Sequence, residues 1–210
     1  MATLGEFVGS GANTTKLLLH LNGNSADSSG NGNNGTDTAI TYSQSNGRFG
    51  MGAGFNGSTS KIAYASSASL TPQTFTIGAW VKLNSTSNFP IWGGDNVVGG
   101  ITVKAGGYGA VDKSNIANLV TGVKAYTAGV WTHLMATYNS STDLCVLYKD
   151  GEYDNSATSN QTFTQTNQAV GRNNAEWANG SIDEFIMENR VWTASEVKKY
   201  YTYAKGRFNN

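Results

Sequence analysis

Four groups of residues in this chain carry side chains capable of chemistry. The first is the acidic set of the segment Gly180-Ser-Ile-Asp-Glu-Phe185 with Glu188 close behind. Carboxylates that work as a pair across a glycosidic bond stand roughly 5 to 9.5 Å apart. Read as a strand, this segment puts Glu184 and Glu188 on one face about 13 Å apart and Asp183 on the other, so the spacing excludes such a pair. The second group is the loop from Asn22 to Asn34, which packs oxygen side chains among glycines. Such a loop suits a hard cation such as calcium, which takes about 6 to 8 oxygens, although its spacing is not that of an EF-hand. The same residues also suit a hydrogen-bonded Asx-turn loop in which Asp27 caps its own backbone.

The third group is aromatic. Trp92, in Pro90-Ile-Trp-Gly-Gly-Asp95, and Trp177, in Asn173-Asn-Ala-Glu-Trp-Ala-Asn179, lie in loop-like sequence beside neutral polar residues, the setting of a sugar-stacking platform. Tyr108 and Tyr126 are weaker candidates, and a loop anchor folded back on the protein is the competing reading for both tryptophans. Trp80 and Trp131 alternate within strand patterns and read as core. The fourth group is His20, His133 and Cys145. Both histidines lie in strand patterns without a neighbouring acid or nucleophile motif and read as structural. Cys145, in Leu144-Cys-Val-Leu-Tyr148, reads as a small buried hydrophobe, and a lone cysteine excludes an internal disulfide. Together these readings predict a chain without catalytic residues.

The elements that must position these groups are short strands. Apolar runs at Lys16 to Leu21, Gly54 to Phe55, Ile62 to Tyr64, Phe75 to Leu83, Ile101 to Val103, Gly129 to Tyr138, Leu144 to Lys149, Ala169 to Gly171 and Ile182 to Val191 are separated by turn residues. Alternation is clearest at Phe75 to Lys82, which predicts a core face of Phe75, Ile77, Ala79 and Val81 and a half-exposed face carrying Trp80. Asp150-Gly151 between β-formers signals a tight hairpin, because both residues tolerate positive φ. Thr193, with Glu196 three residues on, has the spacing of a helix-capping box, and Val197, Tyr200 and Tyr201 continue at helical spacing. Many strands and one late helix predict an all-β, antiparallel two-sheet jelly-roll sandwich with one short C-terminal helix. No composition shift divides it, so residues 15–210 read as one domain behind an extended N-terminal arm, residues 1–14.

Only 13% of the residues are charged, and 14 basic residues balance 14 acidic ones. The surface is therefore polar but neutral, with no basic cluster to serve as a footprint for nucleic acid. The longest early apolar run, Leu17-Leu-Leu-His-Leu21, falls far short of the roughly 20 residues that cross a bilayer. The first residues lack the charged and apolar regions of a signal peptide, so the expectation is synthesis in a cytoplasm.

Several of these pieces occur together in one order. The loop after Leu17, then Gly50-Met-Gly-Ala-Gly-Phe-Asn-Gly57, Phe75 to Val81, Val130 to Tyr138 with Tyr148-Lys-Asp-Gly151, and Gly180 to Phe185 before the helix resemble the concanavalin A-like lectin/glucanase superfamily and, within it, its laminin G-like jelly rolls. The resemblance spans roughly residues 16 to 203. The closely spaced acidic triplet of the retaining glucanases is absent. In similar jelly rolls the first loop and the acids near the last strand hold a structural ion, and that resemblance implies calcium on Asp27 and Asp183, helped by carbonyls near Ser25 and Asn33.

The closing pattern Val191-Trp-Thr-Ala-Ser-Glu-Val-Lys-Lys-Tyr-Tyr201 is also similar to accessory proteins of tailed phages. That likeness implies a non-enzymatic structural or adhesion protein of a virion, docked to other virion proteins through its N-terminal arm or C-terminal tail and able to bind cell-surface glycans. The competing readings are a secreted, extracellular carbohydrate-binding module and a divergent glycoside hydrolase or lyase. Self-association fits compact subunits of this kind, but no residue selects a number of copies.

Overall fold

The computed structural model describes residues 14–114 and 117–206, leaving out the side chains of 95–98, 113, 114, 117, 165 and 206. The first half of the chain forms β1 (Thr15–Leu19), β2 (Thr36–Thr38), β3 (Thr41–Ser43), β4 (Gly52–Asn56), β5 (Lys61–Ala63), β6 (Phe75–Leu83), β7 (Phe89–Val98) and β8 (Ile101–Lys104). The second half forms β9 (Tyr108–Ser114), β10 (Ala117–Ala125), β11 (Thr132–Asn139), β12 (Leu144–Lys149) and β13 (Glu152–Thr158). After these come β14 (Thr164–Val170), β15 (Arg172–Asn173), β16 (Glu176–Trp177), β17 (Asn179–Glu188) and the helix α1 (Ala194–Gly206). The expected arm, residues 1–14, lies outside the described residues but for Thr14, and so does the tail after Gly206.

Two antiparallel sheets stack face to face. The first runs β13-β12-β11-β6-β17-β4-β3, with β1 also paired to β17, and the second runs β10-β9-β8-β7-β14-β5-β2. Side chains of both inner faces, among them Leu17, Phe55, Ile77, Val81, Ile91, Val103, Leu134, Ile182 and Phe185, form one buried cluster. The all-β sandwich with a single late helix is therefore the observed fold. Its hairpin between β12 and β13 turns on Asp150 and Gly151, at φ 52° and 75°, the left-handed pair that a two-residue turn demands.

The outer face of the first sheet departs from expectation. Trp80 is buried, as its reading as core requires, but the face it lies on is covered rather than half-exposed, because α1 lies across it: Tyr201 stacks on the Trp80 ring at 5.4 Å, and Phe49 meets it edge-on at the same distance. Leu18, Met135, Ile186, Trp192, Val197 and Tyr200 make the neighbouring cluster under the helix. The capping box starts that helix as read, with the Thr193 N–H donating to Glu196 and the Glu196 N–H donating to Thr193 Oγ1.

A bulge corrects the reading of the acids. The register of β17 against β6 slips between Asp183 and Ile186, and Glu184 takes φ 48°. Beyond it Phe185 and Met187 enter the core, whereas Ile186 joins the cluster under the helix. Strict alternation would have put Glu184 and Glu188 on one face; the extra residue turns Glu188 to the outer side, where it accepts from the Thr15 hydroxyl. The bulge falls where β17 changes partner along one edge, from β4 at Asn179 to Ile182 to β1 at Phe185 to Glu188.

Candidate binding site

Trp92 and Tyr126 are not platforms. Each is only 1% and 3% exposed, respectively, and both belong to the inter-sheet core. The register of β7 slips between Pro90 and Trp92, so that consecutive residues Ile91 and Trp92 both turn inward, Trp92 against the rings of Tyr64 and Phe185. Tyr126 closes the end of β10, its N–H donating to Gly107 and its hydroxyl beside Gly109. Tyr108 and Trp177 keep open faces, the former 37% exposed and the latter half-buried.

The four residues expected around calcium do not make a cation cradle. Asp27 turns back along β1 and seals its free edge. Its Oδ1 accepts from the N–H of Leu18 and Ser29, and its Oδ2 from the Asn33 N–H and the Ser29 hydroxyl, all within 3.2 Å. The Ser28 N–H donates to Leu18 O and the Asn33 amide to Lys16 O, so the loop acts as a substitute strand on an edge that would otherwise be unpaired. Ser25 O is taken by the Gly35 N–H. Asp183 is held elsewhere. Its Oδ2 accepts from the N–H of Arg48 and Phe49 at 2.8 and 2.9 Å, and its Oδ1 from that of Glu184.

The start of the first loop does reach this neighbourhood. His20 bonds Glu184 at 2.9 Å, and Asn22 accepts from Met51. Burial pushes the Asp183 carboxyl up to about 7 despite its three amide donors. Oxygens already aimed at N–H donors do not converge on a common cation, and among the described residues no group of three or more His, Cys, Asp or Glu could hold a metal ion.

The chemistry that does converge lies on the outer face of the second sheet. Ile101-Thr-Val-Lys104 alternates, with Ile101 and Val103 in the core and Thr102 and Lys104 outward. Lys104 is opposite Tyr108 in the β8–β9 register, and Asp112, four residues along β9, shares that outer side. The small β15–β16 hairpin folds over β7, and Gly93 permits its approach: a Cβ there would stand 2.8 Å from Arg172 O. This brings Glu176 and Asn173 onto the same ground. Lys104 Nζ sits between the two acids, 3.0 Å from Asp112 and 3.5 Å from Glu176.

Amides complete the network. Asn173 donates to Asp112 Oδ2 at 2.7 Å, Asn88 donates to Glu176, and the Ala105 N–H donates to Asn88. Burial raises the Asp112 carboxyl to about 6, against the pull of Lys104. Beside the network the Arg172 guanidinium lies 5.2 Å over the Trp177 ring, fixing that indole in orientation. Lys104 and Glu176 remain about a quarter exposed. The site is thus a hydrogen-bonded patch of donors and acceptors with Tyr108 and Trp177 beside it. Of the residues singled out from sequence it contains Trp177 and Tyr108. Lys104, Asp112, Asn88, Asn173, Arg172 and Glu176 were missed, although the outward alternation of Tyr108, Ala110 and Asp112 was a readable sign.

The family whose model matches residues 55–198 is described as the concanavalin A-like lectin/glucanases superfamily. The human adhesion G-protein coupled receptor D1 is 27% identical over 150 residues, which cover 65% of this chain and 17% of the receptor. The chain thus spans about a sixth of that relative. Domain 4 of AbnA, a GH43 extracellular arabinanase from Geobacillus stearothermophilus solved with arabinotriose, superposes with a TM-score of 0.73 at 22% identity, over 89% of this chain and 97% of that domain. The binding domain of Paraclostridial Mosquitocidal Protein 1 superposes with a TM-score of 0.71 at 19% identity, over 94% of this chain and 53% of that one. At these identities the two structures share the fold.

Proposed function

The chain belongs to the concanavalin A-like lectin/glucanases superfamily, and from that premise we propose that it is a non-enzymatic, lectin-like adhesion domain whose outer second-sheet face binds glycans. The observation that carries this reading is the pairing of fixed polar groups with open aromatic faces. Lys104 and Glu176 Oε1 offer a donor and an acceptor to sugar hydroxyls, and Trp177 and Tyr108 offer faces to sugar C–H groups. The arabinotriose held by the similar arabinanase domain makes neutral pentose and hexose oligomers the first ligands to try.

The acids support a binding role over hydrolysis. Asp183 is consumed by three backbone amides, Glu184 by His20, and Glu188 by Thr15 and Arg190. Asp112 and Glu176 come close together, but the lysine ammonium fills the space between them where a scissile bond would have to lie. We read the assembly served as a phage particle, with glycan contacts multiplied by copy number. The neutral composition and the free, buried thiol of Cys145 are compatible with that setting. Among the described residues no helix is long and apolar enough to cross a membrane.

A glycan array followed by calorimetry tests the reading. The wild type should bind a neutral oligosaccharide, and Trp177→Ala should weaken it about tenfold or more, the equivalent of roughly 1.4 kcal/mol. Silence across the array, or reducing-sugar release from a polysaccharide panel, would overturn the adhesion reading. Copurification with virions supports the phage setting, and recovery from a cell secretome alone removes it.

A further inference from the structure

A second feature of the molecule has the form of a ligand site and belongs to none of the residues above. Between the short helical turn Ala68–Leu70 with its flanking loop and the first half of β14 runs a groove of about 480 Å³, open to solvent. Ser66, Ser67, Thr71 and Gln73 line one wall, Thr164 and Thr166 the other, and Phe163 and Gln168 the floor. Its volume lies in the range of small-molecule pockets, about 300 to 1,000 Å³.

The groove is built before any ligand arrives. The Gln73 amide pairs with the Phe163 backbone as a strand would, donating from Nε2 to the carbonyl and accepting at Oε1 from the N–H, both at 2.9 Å. From the floor, Gln168, 1% exposed, donates to Ser67 O at 3.2 Å and to Thr71 Oγ1 at 2.8 Å. The Asn167 N–H donates to Ser66 Oγ, a third tie across the groove. Walls pinned in this way lose little freedom on binding, which is the saving that preorganisation gives.

The lining also specifies the ligand chemistry. Among the described residues its lining holds no Asp, Glu, Lys, Arg or His, so a charged group entering it would shed water without finding a counterion among them. A purely apolar ligand would bury the hydroxyls of four or more Ser and Thr side chains. Beside the hydroxyls and amides the lining includes Ala68 and Phe163, a mixture of apolar and hydrogen-bonding groups that suits the C–H patches and hydroxyl rim of a sugar ring. Placement adds a further point. The groove adjoins the start of β14, and the β15–β16 hairpin of the Trp177 site follows its end, roughly 20 Å away at about 3.3 Å per residue.

We propose that this groove is a second, independent subsite for an uncharged saccharide unit, so that the domain engages neutral glycan at two points. The inference deepens the adhesion reading and rests on it.

Isotope-labelled full-length chain titrated with L-arabinose, arabinotriose, D-galactose, N-acetylglucosamine and D-glucuronate tests it by NMR, because the side-chain amides of Gln73 and Gln168 report the groove directly. At least one neutral sugar should shift both amides saturably, with glucuronate bound at least about tenfold more weakly. Thr166→Trp, at an exposed position on the wall, should fill the groove and abolish those shifts, whereas Trp177→Ala should leave them in place. Shifts confined to the Trp177 face, or glucuronate bound as well as the neutral sugars, would overturn the subsite and leave the adhesion reading standing. Absence of shifts at both places would overturn the two together.

Discussion

The two outer faces of this sandwich are finished in opposite ways. The first sheet is roofed by α1, whose Tyr200 and Tyr201 pack with Trp80, Trp192 and a fully buried His133 into a largely aromatic layer. The second sheet is covered only in part by a two-residue-per-strand hairpin, and what lies beneath is an ion and amide network with its rim in water. One face has become additional core; the other has stayed a surface with fixed polar geometry. The contrast teaches that sheet topology alone does not decide which face binds, since the covering element determines whether aromatic rings are spent on packing or left to a ligand.

Removing the largest ring under the helix should separate the faces most sharply. Trp80→Ala takes away a side chain in contact with Phe49, His133 and Tyr201. A cavity of that kind costs about 3 to 5 kcal/mol, and a domain of this size loses on the order of 10 °C in melting temperature. The protein that remains folded should bind glycan with unchanged affinity. Lower affinity in proportion to the lost stability would show that the two faces are one cooperative unit.

On the other face, Lys104→Met removes the cation between two acids, one of them buried. Stranding a buried charge is costly, but the lysine and Glu176 are partly solvated, so roughly 2 to 3 kcal/mol is expected at pH 8. Burial already raises Asp112 to about 6 in the fold, from 3.8. Its protonation is therefore favoured by folding, and the deficit of the variant should shrink as pH falls from 8 to 5. Denaturant melts at the two pH values check this; a pH-independent deficit would show that Asp112 does not depend on the lysine.

How far the sequence foretold these faces follows from the range of the interactions involved. Phe75–Leu83 and Leu144–Lys149 were bounded correctly because a period of two is written in neighbouring residues. The Asp150-Gly151 turn and the Thr193–Glu196 cap are equally local. Misreadings arose where the period breaks. Bulges beside Trp92 and at Glu184 each insert a residue, turning an apparent loop tryptophan inward and Glu188 outward. The glycines and polar residues of β7 and β9 hid those strands. The Lys104 network was the least legible feature, because it joins β8, β9 and a hairpin some seventy residues later, and no window of sequence contains that meeting.

The histidine under the helix gives a smaller and more specific test of the closed face. Burial pushes His133 down to about 3, from 6.5, so the fold holds it neutral. Stability from this group is complete above pH 6.5 and is lost as pH falls toward 3, by about 1.4 kcal/mol per pH unit. Asp183, raised from 3.8 to about 7, works in the opposite sense: it favours folding at low pH and is penalised as pH rises to 7. The wild-type profile is thus flattened, and the difference from His133→Phe isolates the imidazole. That difference should be constant above pH 7 and grow by about 2 kcal/mol in favour of the variant by pH 5. A flat difference would mean that water already reaches the ring.

The smallest effect is expected from chelation, and it bears on the edge between the faces. The loop from Asn22 to Asn34 closes β1 with protein donors alone: Asp27 receives four hydrogen bonds, and Ser28, Asn31 and Asn33 donate to the carbonyls of Leu18, Thr15 and Lys16. An ion at Asp27 would have to displace N–H groups that then lie without acceptors, at a cost of about 1 to 3 kcal/mol for each one buried. Strong chelation should therefore leave the melting temperature unchanged to within about 1 °C, whereas Asp27→Ala should lower it by several degrees with or without chelator. A fall on chelation that added calcium reverses, and that Asp27→Ala abolishes, would show the loop to be held by a cation after all.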